Sequence, residues 1–333
     1  MAGWFGPFRL ERRIGKGGLG AVWRAIDTRT DTTVALKLLP PGTDPLAGER
    51  TRREFTLLRK VSHANIVRLL DAGELDGTPW LAMELIEGLG VREWLSIAGA
   101  PIPLEPEPGD EAHGSEGVDL DALYDEPDSG ALVATARARR LMTISGLDQQ
   151  LEEADQIRTN APRRIAALCD ALAQICDGLA EVHAQGLVHR DVKPGNILVT
   201  PGRRAVLVDF GLVKQQGAES KTEVGRVVGT MRYMAPEQAR GEILDARADL
   251  YSLGATLYEF LAGRPPFPHE GQMQLMEAVM GEMPTDIPTI NPGAPVGLCV
   301  LAHRLLAKAP RTRPGSAKEI AALLRAVGHR MER

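Results

Sequence analysis

Residues 189–196 read His-Arg-Asp-Val-Lys-Pro-Gly-Asn, and residues 209–211 read Asp-Phe-Gly. The first stretch places a lysine, Lys193, two residues after a carboxylate, Asp191, and an amide, Asn196, five residues after it. Asp209 adds a second carboxylate, and two predicted strands separate it from the first motif along the chain. These groups in this order bind phosphate and a divalent metal ion. Either motif alone occurs by chance, but the two together, in order and correctly spaced, indicate the centre of a phosphoryl-transfer enzyme.

The composition is that of a globular chain. Its 333 residues are 44% hydrophobic, which is enough for two lobes with cores of their own. Cys169, Cys176 and Cys299 lack the spacing of metal ligands or of a disulfide framework, and the first two fall on one predicted buried helix face. A reducing cytoplasm is therefore the simplest prediction. We find neither a leader-like N-terminus nor an apolar run of membrane-spanning length, so the sequence predicts no membrane contact.

The charge is unevenly distributed. The chain has a net charge of −5, yet residues 100–130 contain ten acidic residues and no Lys or Arg, so the remainder carries +5. Such a mild positive balance suits phosphate handling. It is far from the strongly basic signature of nucleic-acid binding, so no nucleic-acid partner is predicted.

A glycine-rich loop lies between two predicted strands, 8–14 and 21–26. The same glycines opening a helix would indicate a dinucleotide site, but a strand follows them here. Glycines allow the backbone to close over triphosphate oxygens, and Val22 would cover a flat base. A plain flexible hairpin remains the alternative. The predicted nucleotide contacts from this loop are Ile14, Gly15, Lys16, Gly17, Gly18, Leu19, Gly20 and Val22.

Lys37 interrupts the apolar strand 33–39. A buried lysine needs anionic partners to offset its desolvation. Glu54, in the helical stretch 52–61, is the preferred protein partner, and Glu49 is the competing choice. The strand that follows, 80–86, ends where backbone groups can reach a purine edge, with Met83 at the back of the pocket.

Together these motifs resemble the eukaryotic-type (Hanks-type) serine/threonine protein kinases in their bacterial style. The resemblance covers residues 8 to about 97 and 162 to about 327. It implies an α+β bilobal kinase fold over residues 8–327, with a small antiparallel β-sheet plus one helix in the N-lobe (about 8–87) and a mainly α-helical C-lobe (about 88–327). Residues 98–161 would be an acidic, partly disordered insertion within the C-lobe.

The resemblance also implies roles for individual residues. Asp191 would orient the substrate hydroxyl and accept its proton, and Lys193 would neutralise the γ-phosphate. Lys37 would hold the α and β phosphates and pair with Glu54, which lies at the family's distance from the His-Ala-Asn motif at 63–65. Asn196 and Asp209 would hold the metal ions. The remaining predicted contacts to the base are Ala35, Met83, Glu84, Ile86, Leu198 and Val208.

The implied cofactors are ATP and Mg²⁺ or Mn²⁺, and the implied partners are protein substrates. Lys193 and the Gly229-Thr230 pair before Tyr233-Met234-Ala235-Pro236-Glu237 resemble the Ser/Thr branch. A homodimer that autophosphorylates in trans is compatible with this class. The alternative function is a pseudokinase or scaffold-type regulatory protein.

Further predictions concern regulation and architecture. Thr222, and then Ser220, are the predicted autophosphorylation sites of the activation segment, because a phosphate can order a loop through arginine contacts. Thr143 and Ser145 follow arginines in the insertion, so one of them is a further candidate for autophosphorylation, or the segment docks on the kinase's own surface; an idle insertion is the alternative. The family pattern also predicts that Asp249 anchors the catalytic loop and that Glu237 pairs with Arg313.

Four methionines at helical spacing favour a core face, with a partner surface as the alternative: Met273, Met276, Met280 and Met283.

Overall fold

The computed structural model describes residues 3–17, 20–39, 55–56, 58–97, 160–210 and 231–331. Its N-terminal lobe is built on a six-stranded antiparallel sheet of order β1-β2-β3-β4-β6-β5. One sheet face buries an apolar cluster that includes Phe8, Leu36 and Trp80. The strands are β1 (Gly3–Phe5), β2 (Phe8–Gly17), β3 (Gly20–Asp27), β4 (Thr32–Leu38), β5 (Leu69–Leu75) and β6 (Thr78–Glu84).

The glycine-rich loop is a hairpin, as predicted, because β2 and β3 pair up to Gly17 opposite Gly20. Gly20 has φ +118°, and a Cβ there would lie 1.9 Å from the carbonyl oxygen of Leu38. Only glycine fits that backbone. Gly18 and Leu19 lie outside the described residues, and so does the side chain of Lys16.

The C-terminal lobe is mainly helical, which confirms the predicted fold class. The helix that precedes the catalytic loop starts with Pro162 in its first turn and buries Ile165, Leu168, Leu172 and Ile175 at three- and four-residue spacing. The helices are α1 (Val91–Ser96), α2 (Pro162–Ala184), α3 (Pro236–Ala239), α4 (Arg247–Ala262), α5 (Gln272–Gly281), α6 (Ile287–Ile290), α7 (Val296–Leu305) and α8 (Ala317–Met331).

Helix α4 lies at the centre of this lobe, since residues on all its sides are buried. Helix α8 packs along α2, where Cys169 and Cys176 are buried and unbridged, as the sequence predicted. Cys299 of α7 is also buried and free. Among the described residues, no helix is both long enough and apolar enough to cross a bilayer.

A small second sheet begins directly after the chain that links the two lobes. Its strands are β7 (Leu89–Gly90), β8 (Ile197–Val199) and β9 (Ala205–Leu207), in that order. The connection from β6 to β7 passes so close to β8 that a Cβ on Gly88 would lie 2.4 Å from the carbonyl oxygen of Val199. This contact fixes the chain that links the two lobes against the strand that follows the catalytic loop.

Gly88→Ala should therefore destabilise the protein by about 1–3 kcal/mol, because the added methyl group forces two backbone segments apart. Gly90→Ala is the matched control, since a Cβ at Gly90 meets no atom within 4 Å; losing a glycine at the start of a helix costs below about 1 kcal/mol. Thermal unfolding of both variants checks the difference. Equal shifts in Tm would contradict the close approach at Gly88.

The methionine prediction is wrong for its two ends. Met273 and Met283 are 75% and 70% exposed, and Met283 lies beyond the end of α5. The face of α5 that packs on the lobe consists of Leu275, Ala278 and Val279, with only Met276 packed beside it. Leucine, alanine and valine share the same three- and four-residue spacing, so the period alone did not identify the buried face.

Several predicted features lie outside the described residues. They are Glu54 and the start of its helical stretch, the insertion up to residue 159 with Thr143 and Ser145, and the segment 211–230 with Ser220, Thr222, Gly229 and Thr230.

Candidate active site

The catalytic loop follows α2 and is held by a buried aspartate of α4. Asp249 accepts hydrogen bonds from the backbone N–H groups of His189 and Arg190, both at 2.8 Å. His183 Nε2 lies 2.8 Å from the same carboxylate. Asp249 is fully buried, so these bonds form away from water and hold the loop firmly. The predicted anchoring by Asp249 is confirmed.

The residues of the first motif form one hydrogen-bonded cluster. The Asp191 Oδ2 atom accepts from Lys193 Nζ and from Asn196 Nδ2, each at 2.9 Å. Asn196 Nδ2 also donates to the backbone carbonyl of Asp191 at 2.8 Å. The Asp191 side chain is 5% exposed and Lys193 is 21% exposed. The structure thus places a carboxylate, an ammonium group and an amide in direct contact with one another in the catalytic loop.

The second motif brings the two lobes into contact. Lys37 of β4 forms an ion pair with Asp209, which follows β9. Lys37 is 6% exposed, and the Asp209 carboxylate is the anionic partner that a buried lysine needs to offset its desolvation. Asp209 has φ +64°, a conformation that non-glycine residues adopt only where surrounding contacts hold them. Next to it, the ring of Phe210 packs 4.4 Å from the ring of His189.

The predicted base-binding residues are brought together in part. In the sheet register Ala35 lies opposite Met83, and both are buried. Val22, Ile86 and Val208 are partly buried and pack against the same apolar cluster, which draws on both lobes.

Other predicted contacts lie near this cluster without belonging to it. Leu198 is half-buried in β8, opposite Val206. Ile14 is 42% exposed on β2, one residue before Gly15, which pairs with Val22. Glu84 ends β6 and uses its side chain to accept the N–H of Arg68 at 3.0 Å. One oxygen of this carboxylate is thus bonded within the protein.

The donor atoms at Asn196 and Asp209 suit a hard divalent cation. Both of the bonds that Asn196 Nδ2 donates go to Asp191, so the amide oxygen is the atom that remains for a metal. Asp209 contributes a carboxylate that is a third exposed. Mg²⁺ typically takes one or two such oxygens and completes its shell with phosphate and water oxygens. The residues present therefore fit a phosphate-bound magnesium or manganese ion.

A polar triad that the sequence did not reveal holds Tyr233. Arg92 of α1 donates to the Tyr233 hydroxyl at 2.8 Å, and both bond to Glu259 of α4. Burial and the neighbouring Glu259 carboxylate raise the pKa of Tyr233, so its hydroxyl stays protonated. The triad fixes the start of the 233–237 segment. No local pattern could have found it, because its members come from three separate elements.

The end of the same segment is fixed by a buried ion pair. Arg313 contacts both oxygens of Glu237, at 2.6 and 2.8 Å, and the two side chains are 0% and 4% exposed. The predicted partnership of Glu237 and Arg313 is confirmed. Segment 233–237 is therefore clamped at both ends beside the catalytic loop.

Comparison with known proteins agrees with this geometry. The family model described as protein tyrosine and serine/threonine kinase matches residues 8–323. The serine/threonine-protein kinase PknH of Mycobacterium bovis is 32% identical over 320 residues, which are 95% of this chain and 43% of that protein. The serine/threonine-protein kinase PknE of Mycobacterium tuberculosis is 32% identical over 311 residues, 93% of this chain and 44% of that protein. This chain thus spans less than half the length of these curated relatives.

Among solved structures, the PknI kinase domain of Mycobacterium tuberculosis is similar in fold. The TM-score is 0.61 at 23% identity, and the alignment covers 97% of each chain. This likeness supports the two-lobed architecture described above.

Proposed function

Since this chain belongs to the protein tyrosine and serine/threonine kinase family, we propose that it transfers the γ-phosphate of ATP to Ser or Thr hydroxyls of proteins. The observation that carries the proposal is the hydrogen-bonded cluster of Asp191, Lys193 and Asn196 together with the Lys37–Asp209 ion pair. These five groups supply a base, two cations and two metal ligands.

Each group has a role in the proposed reaction. Asp191 orients the acceptor hydroxyl and takes its proton, while Lys193 beside it offsets negative charge on the transferred phosphoryl group. Lys37 holds the α and β phosphates and keeps Asp209 in place. Glu54 is proposed as a further partner of Lys37, which would leave Asp209 able to turn to a metal.

A divalent cation would be held by Asn196 and Asp209. When bound it neutralises phosphate charge. We favour Mg²⁺, with Mn²⁺ as the alternative. The base would lie among Val22, Ala35, Met83 and Val208, which belong to or pack against one apolar cluster.

The choice of Ser or Thr rests on Lys193 and on the named relatives, both of which are serine/threonine kinases. We further propose a kinase domain over residues 8–327 with the insertion at 98–161, autophosphorylation at Thr222 and Ser220, and transfer between two copies of the chain.

The test is incorporation of labelled phosphate from ATP into the protein itself and into a generic protein acceptor, with Mg²⁺, with Mn²⁺ and with EDTA. We expect incorporation only with metal, and phosphoserine and phosphothreonine rather than phosphotyrosine after hydrolysis. Transfer between copies predicts that the initial rate rises with the square of the protein concentration. A protein that binds ATP and incorporates no phosphate under any of these conditions would be a pseudokinase instead.

A further inference from the structure

The peptide unit between Arg190 and Asp191 determines the direction in which the Asp191 side chain leaves the backbone. Arg190 has φ +69°, and a non-glycine residue keeps this conformation only where its surroundings hold it. On the amino side of this bend, Asp249 binds the N–H groups of His189 and Arg190. On the other side, the carbonyl of Arg190 requires a donor of its own.

Gln238 supplies that donor. Its Nε2 atom lies 3.2 Å from the carbonyl oxygen of Arg190. Because a carbonyl oxygen only accepts, the amide nitrogen of Gln238 must face it. The bend is therefore held from two sides by side chains of two different elements, α4 and α3.

The position of Gln238 does not depend on the loop that it contacts. Its neighbour Glu237 is locked to Arg313. The turn that contains Gln238 is closed by two backbone hydrogen bonds. The N–H of Ala239 donates to the carbonyl of Ala235 at 2.9 Å, and the N–H of Arg240 donates to the carbonyl of Pro236 at 3.0 Å. The backbone that carries the Gln238 side chain is thus held by contacts within the C-terminal lobe.

Gln238 also lies close to the reacting groups. Together with Arg190, Asp191 and Met234 it lines a shallow recess beside the catalytic loop. Rotation of the Arg190–Asp191 peptide would move the Asp191 carboxylate relative to this recess and to Asn196. Small displacements of a catalytic group cost large factors in rate.

We propose that Gln238 is a positioning residue, which fixes the orientation of Asp191 by holding the carbonyl of Arg190. It touches no reacting atom, so its contribution acts entirely through the backbone. The consequence for the rate rests on the proposed function, whereas the consequence for the loop does not.

Two substitutions separate positioning from simple packing. Gln238→Ala removes the donor and should lower kcat by about tenfold or more, with the KM for ATP changed less than about twofold. Gln238→Glu keeps the shape, but its ionised carboxylate faces a carbonyl and cannot donate. Protonation restores a donor, so the ratio of its kcat to that of the wild type should rise as the pH falls.

The matched control is Gln274→Glu, which places the same change on an exposed position of α5. Its kcat should equal that of the wild type at every pH. A Gln238→Glu variant whose kcat ratio does not depend on pH would overturn the proposed role of the hydrogen bond.

Amide hydrogen exchange of the peptide 187–192 gives a readout that needs no activity. We expect faster exchange at His189 and Arg190 in Gln238→Ala than in the wild type, because the bend loses one of its two restraints. Unchanged exchange would overturn the proposal, even if the wild type transfers phosphate. Faster exchange in a protein that shows no transfer would support the positioning role and count against the proposed function alone.

Discussion

Asp191→Asn is expected to lower the rate of phosphoryl transfer by about 10²–10⁴-fold, the usual contribution of a positioned general base. The carboxylate lies in contact with Lys193 and Asn196, both at 2.9 Å. Asparagine has almost the same shape, and its amide oxygen can accept the same two hydrogen bonds. It cannot take up the proton of an acceptor hydroxyl, so the loss falls on the chemical step.

The measurement is the initial rate of labelled phosphate transfer, with Tm recorded for the same samples. Asp177→Asn is the control, because it makes the same change in a surface ion pair with Arg325, 33% exposed on the aspartate side. Such pairs contribute about 0–1 kcal/mol to stability, so its rate should match that of the wild type. Full activity of Asp191→Asn would show that another group receives the proton.

The sequence predicted the parts of the site whose members are close along the chain. Asp191, Lys193 and Asn196 lie within six residues, so their spacing alone places them on one turn. The long helix before them has a local signature too, because its apolar residues recur at three- and four-residue spacing and Gly186 follows its end. In the same way, the apolar run around Lys37 identified β4 and its buried lysine.

Contacts between distant elements could not be predicted from local spacing. Arg92 and Glu259 are 167 residues apart, and only the tertiary fold brings them to Tyr233. Strand β1 was missed for another reason: at three residues it is too short to show an alternation, and its pairing with β2 and the burial of Phe5 define it. The bond from Gln238 to Arg190 likewise depends on tertiary packing.

Disruption of the buried ion pair that clamps segment 233–237 should be among the most costly single changes in the C-terminal lobe. Arg313 donates five hydrogen bonds: two to the Glu237 carboxylate, and one each to the carbonyls of Ala307, Arg247 and Lys308. Its guanidinium also lies over the ring of Tyr251, 4.9 Å from the centroid. Every N–H of the guanidinium is therefore used, in a place with no access to water.

Arg313→Met should lower the free energy of unfolding by about 3–5 kcal/mol, because it leaves the Glu237 carboxylate buried without its partner. At about 2–4 °C per kcal/mol, Tm should fall by roughly 6–20 °C. Arg313→Lys should recover little of this, since one ammonium group cannot replace a planar fork with five donors. The control is Arg325→Met at the exposed pair with Asp177, which should cost at most about 1 kcal/mol.

Combining Arg313→Met with Glu237→Gln distinguishes the lost bonds from the stranded charge. If the unpaired carboxylate is the main cost, the double variant should be more stable than Arg313→Met alone, because replacing both charges removes the buried ion. Denaturant unfolding of the two single variants and the double variant measures this coupling directly. A double variant as unstable as the sum of the two single changes would instead assign the cost to the three backbone carbonyls that Arg313 holds, which join the chain between α7 and α8 to the start of α4.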